Sequence, residues 1–155
     1  MSVDQEKNLL DNLLDSVIIV DKESKIREVN QETLELLGYK RREELVTLPF
    51  RKICKDFSLA GLKDKLPLRE QELMYLNWEG KRIPVSANIT ARIFYPDDII
   101  LIARDISKTK NLIGNLTQSE KELKTSYEQL QTSKDDLVRS EKLAFTGRIA
   151  ASIAH

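Results

Sequence analysis

Hydrophobic and polar positions alternate along this chain with two different periods, and the change from one to the other divides it near Ser107. Before that point, short runs of period two are interleaved with short helical ones, the pattern of a mixed α/β unit. Asp4 to Leu14 sets Leu9, Leu10, Leu13 and Leu14 on one helical face opposite acids and amides, which predicts an amphipathic lead-in helix. Val17 to Asp21 reads as a strand, DKES as a turn and Lys25 to Asn30 as a second strand, together an antiparallel hairpin. In QETLELLGY, Leu34 and Leu37 share a helical face and Gly38 is placed to end the helix.

Arg41 to Leu68 is cut into fragments by Pro49, Gly61 and Pro67, and only RREEL reads as a short helix. From Glu70 the alternation sharpens. Leu73 and Tyr75 alternate against Met74 and Leu76, WEGK makes a turn, and Val85, Ala87, Ile89, Ala91 and Ile93 alternate against Ser86, Asn88, Thr90 and Arg92. YPDD supplies a second turn, and Ile99 to Asp105 is apolar enough for the centre of a sheet. The predicted class is α+β: a five-stranded antiparallel sheet with helices packed on one side.

After Ser107 there is no proline and the only glycines are Gly114 and Gly147, so a single long helix is the economical expectation. Leu116, Leu123, Leu130, Leu137 and Ala144 recur every seven residues, with Ala151 continuing the row. The complementary row is Leu112, Ser119, Ser126, Ser133, Ser140, Gly147 and Ala154. Leucine on one row and serine on the other predict a thinly packed parallel two-stranded coiled coil and hence a homodimer. The serine row would make that seam a switchable element. Beyond Lys142 the apolar set widens to Leu143, Phe145, Ile149 and Ile153, broader than a two-stranded seam needs and suited to a four-helix bundle.

Composition narrows the function. The 25 basic and 25 acidic residues cancel, which gives nucleic acid or an anionic membrane no electrostatic attraction as a partner. One cysteine, Cys54, excludes an internal disulfide, and one histidine, His155, excludes a Cys/His zinc cluster. The longest apolar runs, VIIV and IILIA, are far short of the ~20 residues that span a bilayer. No secretory signal is visible at the start, so a cytoplasmic location is expected. Five glycines and no GxxxxGK[ST] leave nothing to cradle a nucleotide phosphate.

The order DSVIIVD, VNQETLELLGY, WEGKRIPV and ARDISKTK resembles a PAS domain over about the first 107 residues. The stretch ending in SEKLAFTGRIAASIAH is similar to the linker helix and the opening of the dimerisation and phosphoacceptor domain of sensor histidine kinases. The resemblance implies four segments: a lead-in helix at 1–14, a sensor domain at 15–107, a coiled-coil signalling helix at 108–142 and the start of the phosphotransfer helix at 143–155. It implies that His155 accepts a phosphoryl group, which an imidazole with a lone pair on one ring nitrogen can do. Asp105, with Ser107 in place of the family's usual threonine, would tie the last strand to the long helix and form the signal joint, with an ordinary helix cap as the alternative. The chain ends at His155, so the ATP-binding domain, with its magnesium nucleotide, and the response regulator that would receive the phosphoryl group are expected to belong to a longer parent, and this fragment alone is not expected to be a kinase.

No cofactor is expected in this segment. Haem bound by an internal histidine is ruled out because His155 lies outside the globular part, and FRKICKDF lacks the neighbours of a flavin-reactive cysteine. Cys54 is expected to be a packed thiol, and the short stretch from Pro49 to Leu68 leaves wall for a small ligand at most. The competing expectations are a PAS and coiled-coil module coupled to a non-kinase output, and a stand-alone binding protein whose helix only dimerises it.

Overall fold

The computed structural model describes residues 8–92, 95 and 97–154. It divides into two compact units, Met1–Thr109 and Lys110–His155. In the first, strands β1 (Ser16–Val20), β2 (Ile26–Val29), β3 (Leu68–Leu76), β4 (Arg82–Ala91) and β5 (Ile99–Asp105) form one antiparallel sheet in the order β2-β1-β5-β4-β3. Helix α1 (Gln31–Leu37) and three short 3-10 turns lie between β2 and β3. The apolar strand Ile99–Asp105 is central, flanked by β1 and β4, as its composition predicts.

Alternation decides which face is core. Leu73, Tyr75, Val85, Ala87, Ile89, Leu101 and Ala103 are buried together with Ile18, Val20, Ile26 and Val29, and they pack against Leu34 and Leu37 of α1 and against Leu45, Phe50, Ile53, Cys54 and Leu59 from the segment that follows. Helices therefore cover one face of the sheet, and the α+β architecture is the predicted one. Strand β1 departs from simple alternation because Val17 and Ile19, on the opposite face, are also shielded.

Helix α1 begins and ends where its caps require. Asn30 is extended and its side chain accepts from the Thr33 N–H, while Gly38 adopts φ +74 and its N–H bonds the Leu34 carbonyl. Several expectations are revised at the edges. The described residues of the lead-in helix end at Asp11, so Leu13 and Leu14 follow it rather than extend its face, and residues 1–7 lie outside the description. RREEL forms a 3-10 turn over Arg42–Glu44 instead of an α-helical one. Strand β3 starts at Leu68, two residues earlier than its alternation shows, because a register shift between Leu68 and Gln71, with Glu70 at φ +52, hides the period. Strand β4 stops at Ala91, which is exposed; Ile93 lies outside the described residues.

Helix α2 (Ser107–Ala154) runs unbroken for 48 residues, the second unit beginning within it at Lys110. At 1.5 Å per residue that is roughly 70 Å. None of its described residues is buried. No described helix is long and apolar enough to cross a membrane.

Candidate functional site

The candidate joint is built where β5 passes into α2. Asp105 ends the strand, opposite Val85 of β4, and its Oδ1 accepts the Ser107 N–H at 2.7 Å. That amide is one of the four at the start of α2 that have no partner inside the helix, so the carboxylate both satisfies a donor and places negative charge at the positive end of the helix dipole. Between them, the Ile106 N–H donates to the Pro84 carbonyl at 3.0 Å. Proline at this position lacks an N–H but keeps the carbonyl that this bond needs. Ser107 itself enters the joint through its backbone amide.

One residue earlier, Arg104 makes a two-pronged ion pair with Asp15, Nε to Oδ1 and Nη2 to Oδ2, both at 3.0 Å. The Asp15 carboxylate raises the pKa of the exposed Arg104 guanidinium, first by hydrogen bonding and then by charge. Asp15 also belongs to a buried polar knot around Asn30. The Asn30 Oδ1 accepts from the amides of Val17 (2.9 Å) and Thr33 (3.0 Å) and from the Thr33 hydroxyl (2.8 Å), while its Nδ2 donates to the carbonyls of Leu10 (3.1 Å) and Asp15 (3.0 Å). The Ser16 and Thr33 hydroxyls share a further bond at 2.8 Å. Asp11 completes the attachment, accepting from Arg42 at 2.6 Å and from the Gln31 amide at 3.0 Å. The lead-in segment is thus fastened to α1 and to the exit strand. Of these groups, only Asn30 carried a signal, as a residue of N-cap type before QETLELL; the pairs Asp15–Arg104 and Asp11–Arg42 join residues far apart in sequence.

Inside the domain, Cys54 and Tyr75 are fully buried, and Phe50 meets the Tyr75 ring edge-on at 6.1 Å between centroids. Burial pushes the Cys54 thiol upward and keeps it neutral, the state of a packed rather than a reactive cysteine. Burial also raises the Tyr75 phenol strongly, and its hydroxyl has no hydrogen-bond partner among the described residues. Among the described residues no three His, Cys, Asp or Glu side chains converge to hold a metal ion.

Along α2, Leu112, Leu116, Leu123, Leu130 and Leu137 are all more than 60% exposed, and Ser126, Ser133 and Ala144 are exposed with them. His155 lies outside the described residues. The described site residues therefore fall into two groups, Asp105 and Ser107 at the joint and the two seven-residue rows on the helix.

A family model described as PAS domain matches residues 5–71. In structure, the chain is similar to a domain of the sensory box sensor histidine kinase/response regulator from Geobacter sulfurreducens, with 24% identity, a TM-score of 0.56 and coverage of 66% of this chain and 92% of that one. The globular unit is a PAS domain. A PAS domain from a two-component sensor histidine kinase (18% identity, TM-score 0.58, covering 66% of this chain and 94% of that one) and the PAS domain of nitrogen regulation protein NR(II) from Vibrio parahaemolyticus (13%, 0.55, 68% and 100%) share the same fold. No curated protein matches the chain in sequence. The 5–71 match takes in β1, β2, α1 and the start of β3, whereas the rest of β3, β4, β5, the joint and α2 lie beyond it.

Proposed function

We propose that this chain is the PAS sensor and dimeric signal-transmitting region of a cytoplasmic two-component sensor histidine kinase. The observation that carries the proposal is an unbroken helix leaving the PAS joint with leucines exposed at every seventh position. Such a row is stable in water only when a like row covers it, and a second copy of the chain in parallel alignment brings equal residues together across a two-fold axis. The likeness of SEKLAFTGRIAASIAH to the phosphoacceptor box and the occurrence of this fold in sensor histidine kinases support the remainder of the proposal.

In this scheme the PAS domain receives the stimulus, and Asp105 passes a displacement of β5 to the first turn of α2. The paired helices carry it to His155, whose neutral imidazole attacks the γ-phosphorus of ATP; the N–P bond forms as the bond to the bridging oxygen of ADP breaks. The phosphoryl group then passes to a response regulator. Nucleotide and magnesium belong to a catalytic domain elsewhere in the parent, and no cofactor is assigned to the PAS interior. Autophosphorylation of the parent kinase with radiolabelled ATP tests the assignment: His155→Gln is expected to abolish acid-labile label, and undiminished label in that variant refutes it.

A further inference from the structure

Trp78 is the sole tryptophan of the chain and is 61% exposed, yet it is held from three sides. Its backbone N–H donates to the Leu37 carbonyl at the end of α1 at 3.0 Å. The turn that bears it is locked by Asn77, whose Oδ1 accepts from the amides of Glu79 (3.0 Å) and Lys81 (2.7 Å), with a further bond from Gly80 N–H to the Asn77 carbonyl at 2.9 Å. The indole lies so close over Gly38 that a Cβ there would sit 2.5 Å from Trp78 Cδ1. An aromatic ring that stays in water while its backbone and one edge are fixed has little conformational freedom left to lose on binding.

The surroundings of that ring are cationic in a chain whose net charge is zero. Residues 38–44 and 77–82 contribute Lys40, Arg41, Arg42, Lys81 and Arg82 against Glu43, Glu44 and Glu79, an excess of two positive charges, and the Glu44 carboxylate is turned back to accept from the Arg41 backbone amide at 3.1 Å. Arg42 is engaged by Asp11, but Lys40, Lys81 and Arg82 are exposed and make no ion pair among the described residues. Contact between Gly38 and the indole brings the two basic stretches to the same end of the domain. Leu36 and Tyr39 nearby are only half-buried.

We infer that Trp78 and the lysines beside it form a docking surface for an acidic segment of a partner protein. An apolar side chain of that segment would lie on the indole, and its carboxylates would meet Lys40, Arg41 and Lys81. Charge complementarity selects a peptide of this kind: the cations draw an acidic chain at long range, and the single fixed ring supplies the short-range anchor. A lipid bilayer would call for a broad apolar face around the ring, which the half-buried Leu36 and Tyr39 do not supply. The surface is distinct from the helix rows and does not depend on the kinase assignment.

Because the ring is the only tryptophan, its fluorescence reports this place alone. The whole chain titrated with a short synthetic peptide of glutamates and leucines is expected to show a saturable blue shift, and the same peptide with lysine in place of each glutamate is expected to show none. Half-saturation should rise at least ~5-fold in a Lys40→Glu/Lys81→Glu double variant and at high salt, as opposed-charge association demands. Trp78→Phe, followed by calorimetry, should weaken the acidic peptide by a similar ~5-fold, with the folded state checked by circular dichroism. Equal response to both peptides, no response to the acidic one, or full affinity in the double variant overturns the inference. So does a shift caused only by phosphatidylserine-containing vesicles, which would make the surface a membrane contact.

Discussion

Tyr75 is the most expensive polar side chain in the described core, because its hydroxyl is buried without a partner. Leaving a donor unpaired costs about 1–3 kcal/mol, so Tyr75→Phe, which keeps the ring and its edge-on contact with Phe50, is expected to stabilise the domain by about 1 kcal/mol. Urea unfolding followed by circular dichroism measures this, and a loss of stability would show that the hydroxyl has a partner in solution. The same residue sets an alkaline limit. Burial raises the folded-state pKa of Tyr75 above its unfolded value, so its contribution is complete below the unfolded pKa of about 10 and declines as pH rises beyond it. Wild-type stability should therefore fall more steeply above that pH than the stability of the Phe variant. Alternation put Tyr75 on one face with Leu73, but with Met74 and Leu76 apolar on the other it did not say which face is core; nor did it show the unsatisfied hydroxyl, which depends on the atoms the folded chain brings opposite it.

Among the elements, α1 shows how a local signal and a distant one converge on a single residue. Gly38 follows the last apolar position of QETLELL, and its left-handed φ of +74 is the geometry that ends a helix. The sequence does not reveal that Trp78, forty residues on, lies against it. Gly38→Ala accordingly meets two obstacles, a strained backbone and a Cβ 2.5 Å from the indole, and is expected to cost about 2–3 kcal/mol and to displace Trp78. A shift in tryptophan emission together with a lower unfolding midpoint would confirm both; a lower midpoint with unchanged emission would leave only the backbone effect. The strand boundaries teach a similar lesson. The start of β3 escaped the period-two pattern because its bulge puts two residues opposite one, which breaks alternation without breaking the strand.

For the molecule as a whole, the proposed dimer places Leu116, Leu123, Leu130 and Leu137 on one seam row and Ser119, Ser126, Ser133 and Ser140 on the other. Burying a leucine is worth about 1.5–3 kcal/mol, and a serine gives much less, so half of the seam adds little. In the same alignment Asp136 and Glu141 of opposite copies flank the core as like charges, which weakens it further. Ser126→Leu/Ser133→Leu is expected to tighten the proposed dimer, seen by sedimentation at falling concentration, and to lock the proposed parent kinase against its stimulus. A tighter dimer with an undiminished response would separate dimerisation from switching and remove the serine row as the switch. A chain that sediments as a monomer at high concentration would overturn the dimer itself.

The sequence pattern was enough to assign the α+β class, the central position of β5, the Gly38 cap of α1 and the length of α2, because each follows from contacts a few residues apart or from the average burial of a strand. The Asn30 knot, the Asp15–Arg104 and Asp11–Arg42 pairs, and the meeting of Gly38 with Trp78 became visible only once the chain had folded. Each depends on bringing side chains tens of residues apart to within a few ångströms, and one-dimensional spacing carries no information about that distance. The seven-residue leucine row shows the opposite limit: it is written plainly in the sequence, yet its energy resides in a surface that a single folded chain leaves in water.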